Sequence, residues 1–180
     1  AFPGAEGAGA AATGGRGGDV YIVTNLHDSG AGSLRSGFSG VPAAGRTIVF
    51  RVAGTVYLNS VINVTSSKIT FAGQTAPAGG ITLAHRRFRI TGASNVVVRH
   101  LRTRVSNVVT TTTDPAYQPD ATWVSGANNV VLDHMSAGWS VDEVLSVTDS
   151  ANVSVQWSTI AEALNNAAHA IGANIYGSHI

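Results

Sequence analysis

Cysteine is absent from the 180-residue chain, which removes disulfides and thiolate metal sites and leaves the compartment unreadable from redox chemistry. Charge is scarce as well. Asp, Glu, Lys and Arg make up 12% of the residues and the formal net charge is +1, which argues against a nucleic-acid or membrane-surface binder driven by charge. No stretch approaches the roughly 18 consecutive apolar residues that span a bilayer. No basic-plus-apolar signal segment opens the sequence, and Ala1-Phe2-Pro3-Gly4 reads as a mature terminus left after processing. What is plentiful is glycine, at 21 residues, with Ser, Thr and Asn crowded between short apolar runs. That is the composition of a secreted β protein, and the length suits one domain, 1–180.

Three short stretches resemble one another: Asn95-Val96-Val97-Val98-Arg99-His100-Leu101, Asn129-Val130-Val131-Leu132-Asp133-His134-Met135 and Asn152-Val153-Ser154-Val155-Gln156-Trp157-Ser158. A fainter copy begins at Lys68. The starts fall at 68, 95, 129 and 152, so the steps are 27, 34 and 23 residues. Steps of this size with β-branched alternation predict the coils of a parallel β-solenoid. Further strands are expected at Val20–Val23, Thr47–Val52, Gly54–Leu58, Ile69–Ala72, Ile81–Ala84 and Phe88–Ile90, separated by Gly, Asn or Pro. Ser33–Phe38 suits one helical turn, 160–169 a short helix or, beside a repeat, a loop, and 110–119 a protruding loop. Residues 1–18, rich in Gly and Ala, read as a leader or as a cap over an open solenoid end.

Alternation assigns the faces. With Val96 and Val98 interior, His100 is interior too, and the same parity sends His134 and Trp157 inward as an internal ring ladder. On the outer face Arg99 and Asp133 lie one coil apart and should pair.

A second register carries the chemistry. Asp120 stands before Trp123 and Asp142 before Leu145 and Val147, at matching places in successive coils. If Trp123, Leu145 and Val147 face in, both aspartates face out as stacked neighbours. Like charges at strand spacing repel, so a cation between them would explain the pair, and all-oxygen ligands suit Ca²⁺. Two surface aspartates at loop starts is the plainer reading.

The openings Ala1–Gly7, Thr13–Gly18 and Asp28–Arg35, together with Phe71–Pro77, Asn129–His134 and Ser140–Val147, resemble secreted bacterial pectate-lyase-like proteins. The resemblance runs over nearly the whole chain. It implies a right-handed parallel β-helix, all-β, that cleaves polygalacturonate or a related uronate polysaccharide by β-elimination, with Ca²⁺ joining substrate and protein carboxylates. Asp120 and Asp142 match the family's calcium aspartates. Ser146 stands where better-studied members have Asp, and Glu143 where they have Gly, with a parity that points it inward.

The family's catalytic arginine lies in further coils, and no arginine among 86, 87, 89, 99, 102 and 104 matches it. The base is therefore unassigned and turnover by this chain alone is expected to be very low or absent. Arg102 and Arg104, placed on the outer face with Arg99, are candidates to contact acidic sugar, against the alternative of a solvated basic face. The rival reading from another class is a non-catalytic or truncated β-solenoid that binds acidic glycan or self-associates through an open C-terminal coil. A β-helix hydrolase or esterase using carboxylates without calcium is a third.

Overall fold

The Asn-led repeats become strands of one sheet. The computed structural model describes residues 1–106, 119–165 and 177–179. Its first sheet contains β1 (Asp19–Val23), β2 (Arg46–Phe50), β5 (Ile69–Ala72), β8 (Ser94–Arg99), β11 (Asn128–Asp133) and β14 (Ala151–Gln156), hydrogen-bonded in that order. The second contains β4 (Ile62–Val64), β7 (Phe88–Thr91), β10 (Thr122–Ser125), β13 (Leu145–Thr148) and β16 (Ser178–His179). The third contains β3 (Gly54–Tyr57), β6 (Ile81–Ala84), β9 (Leu101–Arg104), β12 (Ser136–Gly138) and β15 (Thr159–Ile160). Every paired strand is parallel, with successive strands of a sheet supplied by successive turns of the chain. This is a right-handed parallel β-helix. The helical turn α1 (Leu34–Gly37) is present, begun by Ser33, whose side chain accepts from the Ser36 amide.

In-register stacking builds the core. Ile48, Phe71, Val98, Leu132 and Val155 form one interior row of the first sheet. Phe71 meets Phe88 of the second sheet edge-on, with ring centroids 5.6 Å apart. The buried hydroxyls of Thr103 and Thr122 satisfy one another at 3.0 Å, so these two polar side chains sit inside without an orphaned donor.

Two rings of the expected ladder stack, but on the outside. His100 and His134 stack with centroids 4.5 Å apart, yet the His134 side chain is 45% exposed and Trp157 is 72% exposed. The valines do face in as alternation requires. What alternation misses is the corner: His100, His134 and Trp157 adopt left-handed φ values of 53, 53 and 51°. One left-handed residue breaks the period of two, swings its own ring outward and returns the next residue, Leu101 or Met135, to the core. Asn95, Asn129 and Asn152 occupy left-handed positions at the other end of the same strands, a conformation Asn tolerates better than most residues.

The segment 1–18 runs across the outer face of the first sheet. The Gly15 amide donates to Thr70 Oγ1, the Gly9 amide to Ser154 Oγ and the Glu6 amide to Gln156 Oε1. Ala12 covers Val97 and Val131. A Cβ at Gly9 would fall 2.2 Å from the Val130 carbonyl oxygen, so only glycine lets the segment lie this close to the sheet. Residues 160–165 hold the end of β15 and a turn, the loop alternative rather than the helix. The rest of 160–169 and the expected loop to residue 118 lie outside the described residues.

Arg99 pairs with Asp133 as expected, Nε to Oδ2 at 2.7 Å, but Asp133 is fully buried. Burial pushes its carboxyl up, and hydrogen bonds from Arg99, His134 and Gln156 outweigh that and hold it below the usual carboxylate range. A lowered native value means stability that is present above pH ~4 and lost as the pH falls further. Asp133→Asn is therefore expected to cost about 2 kcal/mol at neutral pH, with the gap to wild type narrowing below pH ~4. Urea unfolding across that range checks this, and a pH-independent gap would contradict it.

Candidate active site

The acidic cluster is built on the outer edge of the second sheet, where the chain enters β10 and β13. β10 and β13 pair Thr122 with Leu145 and Trp123 with Ser146. Counting back in that register, supported by the Ala121 amide donating to the Glu143 carbonyl, sets Asp120 opposite Glu143. Asp142 lies beside them, its amide and that of Val141 directed at the Pro119 carbonyl. The Ser140 hydroxyl ties down the same turn by donating to the Asp142 carbonyl.

Ligand oxygens of Asp120, Asp142 and Glu143 all lie within 4.8 Å of one another. The two expected aspartates therefore come together, and Glu143 joins them. Its inward parity is corrected here: the turn before β13 breaks the alternation, and the Glu143 carboxylate lines the same 310 Å³ cavity as Asp120 and Asp142. The sequence held a signal for this. Asp120 precedes its Asn by nine residues and Asp142 precedes its own by ten, so the acid in register is one residue further on.

Trp123 also faces out, because Thr122 and Val124 take the interior positions. Its ring lies 4.9 Å from the Arg87 guanidinium and 4.3 Å from that of Arg89, and its Nε1–H donates to Thr148 Oγ1. Leu145 and Val147 do point inward. Arg87, which no motif singled out, places Nη2 3.6 Å from Asp120 Oδ1.

Asp120 is 6% exposed, and burial raises its pKa to about 6. Arg87 and Ser146 oppose that rise, while Glu143 and Asp142 add to it. The Ser146 hydroxyl is buried, faces Asp120 and has no hydrogen-bond partner among the described residues. Oxygens bound to one calcium at 2.3–2.6 Å lie no more than about 5 Å apart. Three carboxylates within that distance, with a fourth oxygen unengaged, fit a hard cation.

Arg102 and Arg104 do not join this cluster. They lie on β9, on the third sheet, and Arg99 lies on the first, so the left-handed corner at His100 separates what sequence parity placed on one face.

A second cluster, His100, Asp133 and His134, also has ligand atoms within 4.8 Å. Its carboxylate is already occupied by Arg99, Gln156 and His134. Stacked rings hold their in-plane lone pairs side by side rather than converging on one point, so this cluster is a surface ladder and not a metal centre.

The fold and the site together define a parallel β-helix whose second sheet carries clustered carboxylates at its outer edge. No family model matches the chain. It is 42% identical over 165 residues to proteins named "Probable pectate lyase C" from Aspergillus fumigatus and Neosartorya fischeri, and 41% identical to that of Emericella nidulans. The match covers 91% of this chain and 37% of each relative. Jun a 1, the major allergen from cedar pollen, superposes with a TM-score of 0.68 at 23% identity, covering 84% of this chain and 47% of that one. A Paenibacillus pectate lyase gives a TM-score of 0.50 at 14% identity, covering 84% and 41%; both structures share the fold. The likeness to these proteins named as pectate lyases extends over nine-tenths of the chain and about a third of their length. Among the described residues no helix is long and apolar enough to cross a membrane.

Proposed function

We propose that the chain works outside the cell on polygalacturonate or a related uronate polysaccharide, in calcium-assisted β-elimination. The observation that carries this is the convergence of Asp120, Asp142 and Glu143 within 4.8 Å in a chain so similar to proteins named as pectate lyases. These three residues would hold Ca²⁺. When bound, the ion draws charge from a uronate carboxylate and acidifies the neighbouring C–H, the Lewis-acid role of metals elsewhere.

The chain's own residues shape the site around it. Arg87 sets positive charge against Asp120, which keeps the buried carboxylate available in its ionised form. Trp123 braces Arg87 and Arg89 and offers a face for a sugar ring beside the cluster. No side chain is assigned to the proton at C5, since none matches the family's base.

The test is ultraviolet absorbance of the unsaturated uronate product from polygalacturonate, with and without chelator. Slow, chelator-sensitive product formation is expected, about 10²–10⁴-fold below an enzyme with its base in place. Product formation that ignores both chelator and Asp142→Ala would contradict the proposal. Fast turnover would contradict the missing base and point first to Arg87.

A further inference from the structure

The outer face of the third sheet carries a second groove. Tyr57 at the end of β3, Thr82 on β6, Arg102 and Arg104 on β9, Ser106 and Trp139 line a cavity of 390 Å³. Strand register places Tyr57, Ala84, Arg104 and Gly138 in one row across four neighbouring strands. Tyr57 and Trp139 therefore stand about 14 Å apart along the helix axis, three strand spacings. Both rings face water, at 61% and 45% exposure.

Between the rings lie two arginines with no ion pair in direct contact among the described residues, although Arg104 feels the charge of Glu162, which accepts from Trp139 Nε1 at 3.0 Å. Arg102 donates from Nε to Thr82 Oγ1 at 2.8 Å and from Nη2 to the Gly79 carbonyl, which leaves Nη1 without an acceptor among the described residues. Arg104 is fixed by the Ser136 carbonyl at 2.6 Å and hydroxyl at 2.7 Å, with its guanidinium 5.6 Å from the Trp139 ring. The Ser106 hydroxyl is buried and has no hydrogen-bond partner among the described residues.

Two anchored cations and two exposed rings answer the chemistry of one ligand class. The apolar faces of pyranose rings stack on aromatic side chains, and carboxylates pair with guanidinium groups. We propose that this groove binds a uronate-bearing oligosaccharide lying along the helix axis, as a binding site apart from the carboxylate cluster. It would hold polysaccharide on the third sheet whatever happens at the second.

The experiment is calorimetric titration of tri-galacturonate into the full chain with chelator present, so that calcium at the acidic cluster plays no part. Binding is expected. Tyr57→Ala and Arg102→Gln should each weaken it at least tenfold while keeping the wild-type melting temperature, and Asp142→Asn should leave it unchanged. Neutral maltotriose and tri-glutamate should bind at least tenfold more weakly. No binding by wild type, an unchanged affinity in both groove variants, loss of binding in Asp142→Asn, or equal affinity for either comparison ligand would each overturn the proposal.

Discussion

Phe71→Ala is expected to lose about 3–5 kcal/mol of folding stability, whereas Trp157→Ala loses no more than about 0.5 kcal/mol. Phe71 is fully buried, meets Phe88 edge-on and Phe38 at 6.4 Å, and stacks in register between Ile48 and Val98. Its removal opens a cavity that rigid strands above and below cannot collapse to fill. Trp157 is larger, but it stands on the left-handed corner after β14 with most of its surface in water. Urea unfolding of the two variants gives the comparison. Equal losses would mean that the corner rings are packed and that the left-handed corner is misplaced.

Asp142→Ala is expected to weaken calcium binding more than tenfold. Three carboxylates sharing one small volume repel one another unless a cation joins them, and an all-oxygen set of this size suits a dissociation constant on the order of 10⁻⁴ M. Calcium at ten times that concentration would stabilise the wild-type chain by about 1.4 kcal/mol, or roughly 3–6 °C in melting temperature for a domain of this length. The variant should show little of that rise. Asp149→Asn, an exposed acid outside the cluster, should retain it.

The pH dependence follows from Asp120, whose pKa burial raises to about 6. A raised acid means that the native state holds its proton longer than the unfolded chain. Without calcium, stability then falls as the pH rises from about 4 to about 6. Calcium competes with that proton, so its stabilising effect should be full at pH 7 and shrink below pH 6.

The periodicity of the three Asn-led segments was enough to read the β-helix, because side chains in a solenoid repeat with the coil and β-branched alternation reports the buried face directly. It also brought Arg99 to Asp133 and Asp120 to Asp142. The errors at the ring ladder share one cause. Alternation carries a face assignment only as far as the backbone stays extended, and left-handed residues at His100, His134 and Trp157 end it. The same corner parts Arg102 and Arg104 from Arg99. Glu143 escapes the parity because a turn preceding a strand has no period of two to follow, and Trp123 because alternation within β10 does not say which of its two faces is the inner one. Arg87 entered the site through stacking across coils, which local sequence does not display.

The carboxylate cluster is tested most directly by calorimetric titration of calcium at pH 7 into wild type, Asp120→Asn, Asp142→Asn and Glu143→Gln. One binding event is expected in the wild-type chain, weakened more than tenfold or lost in each variant. The same isotherm in all four proteins would contradict a calcium site at Asp120, Asp142 and Glu143.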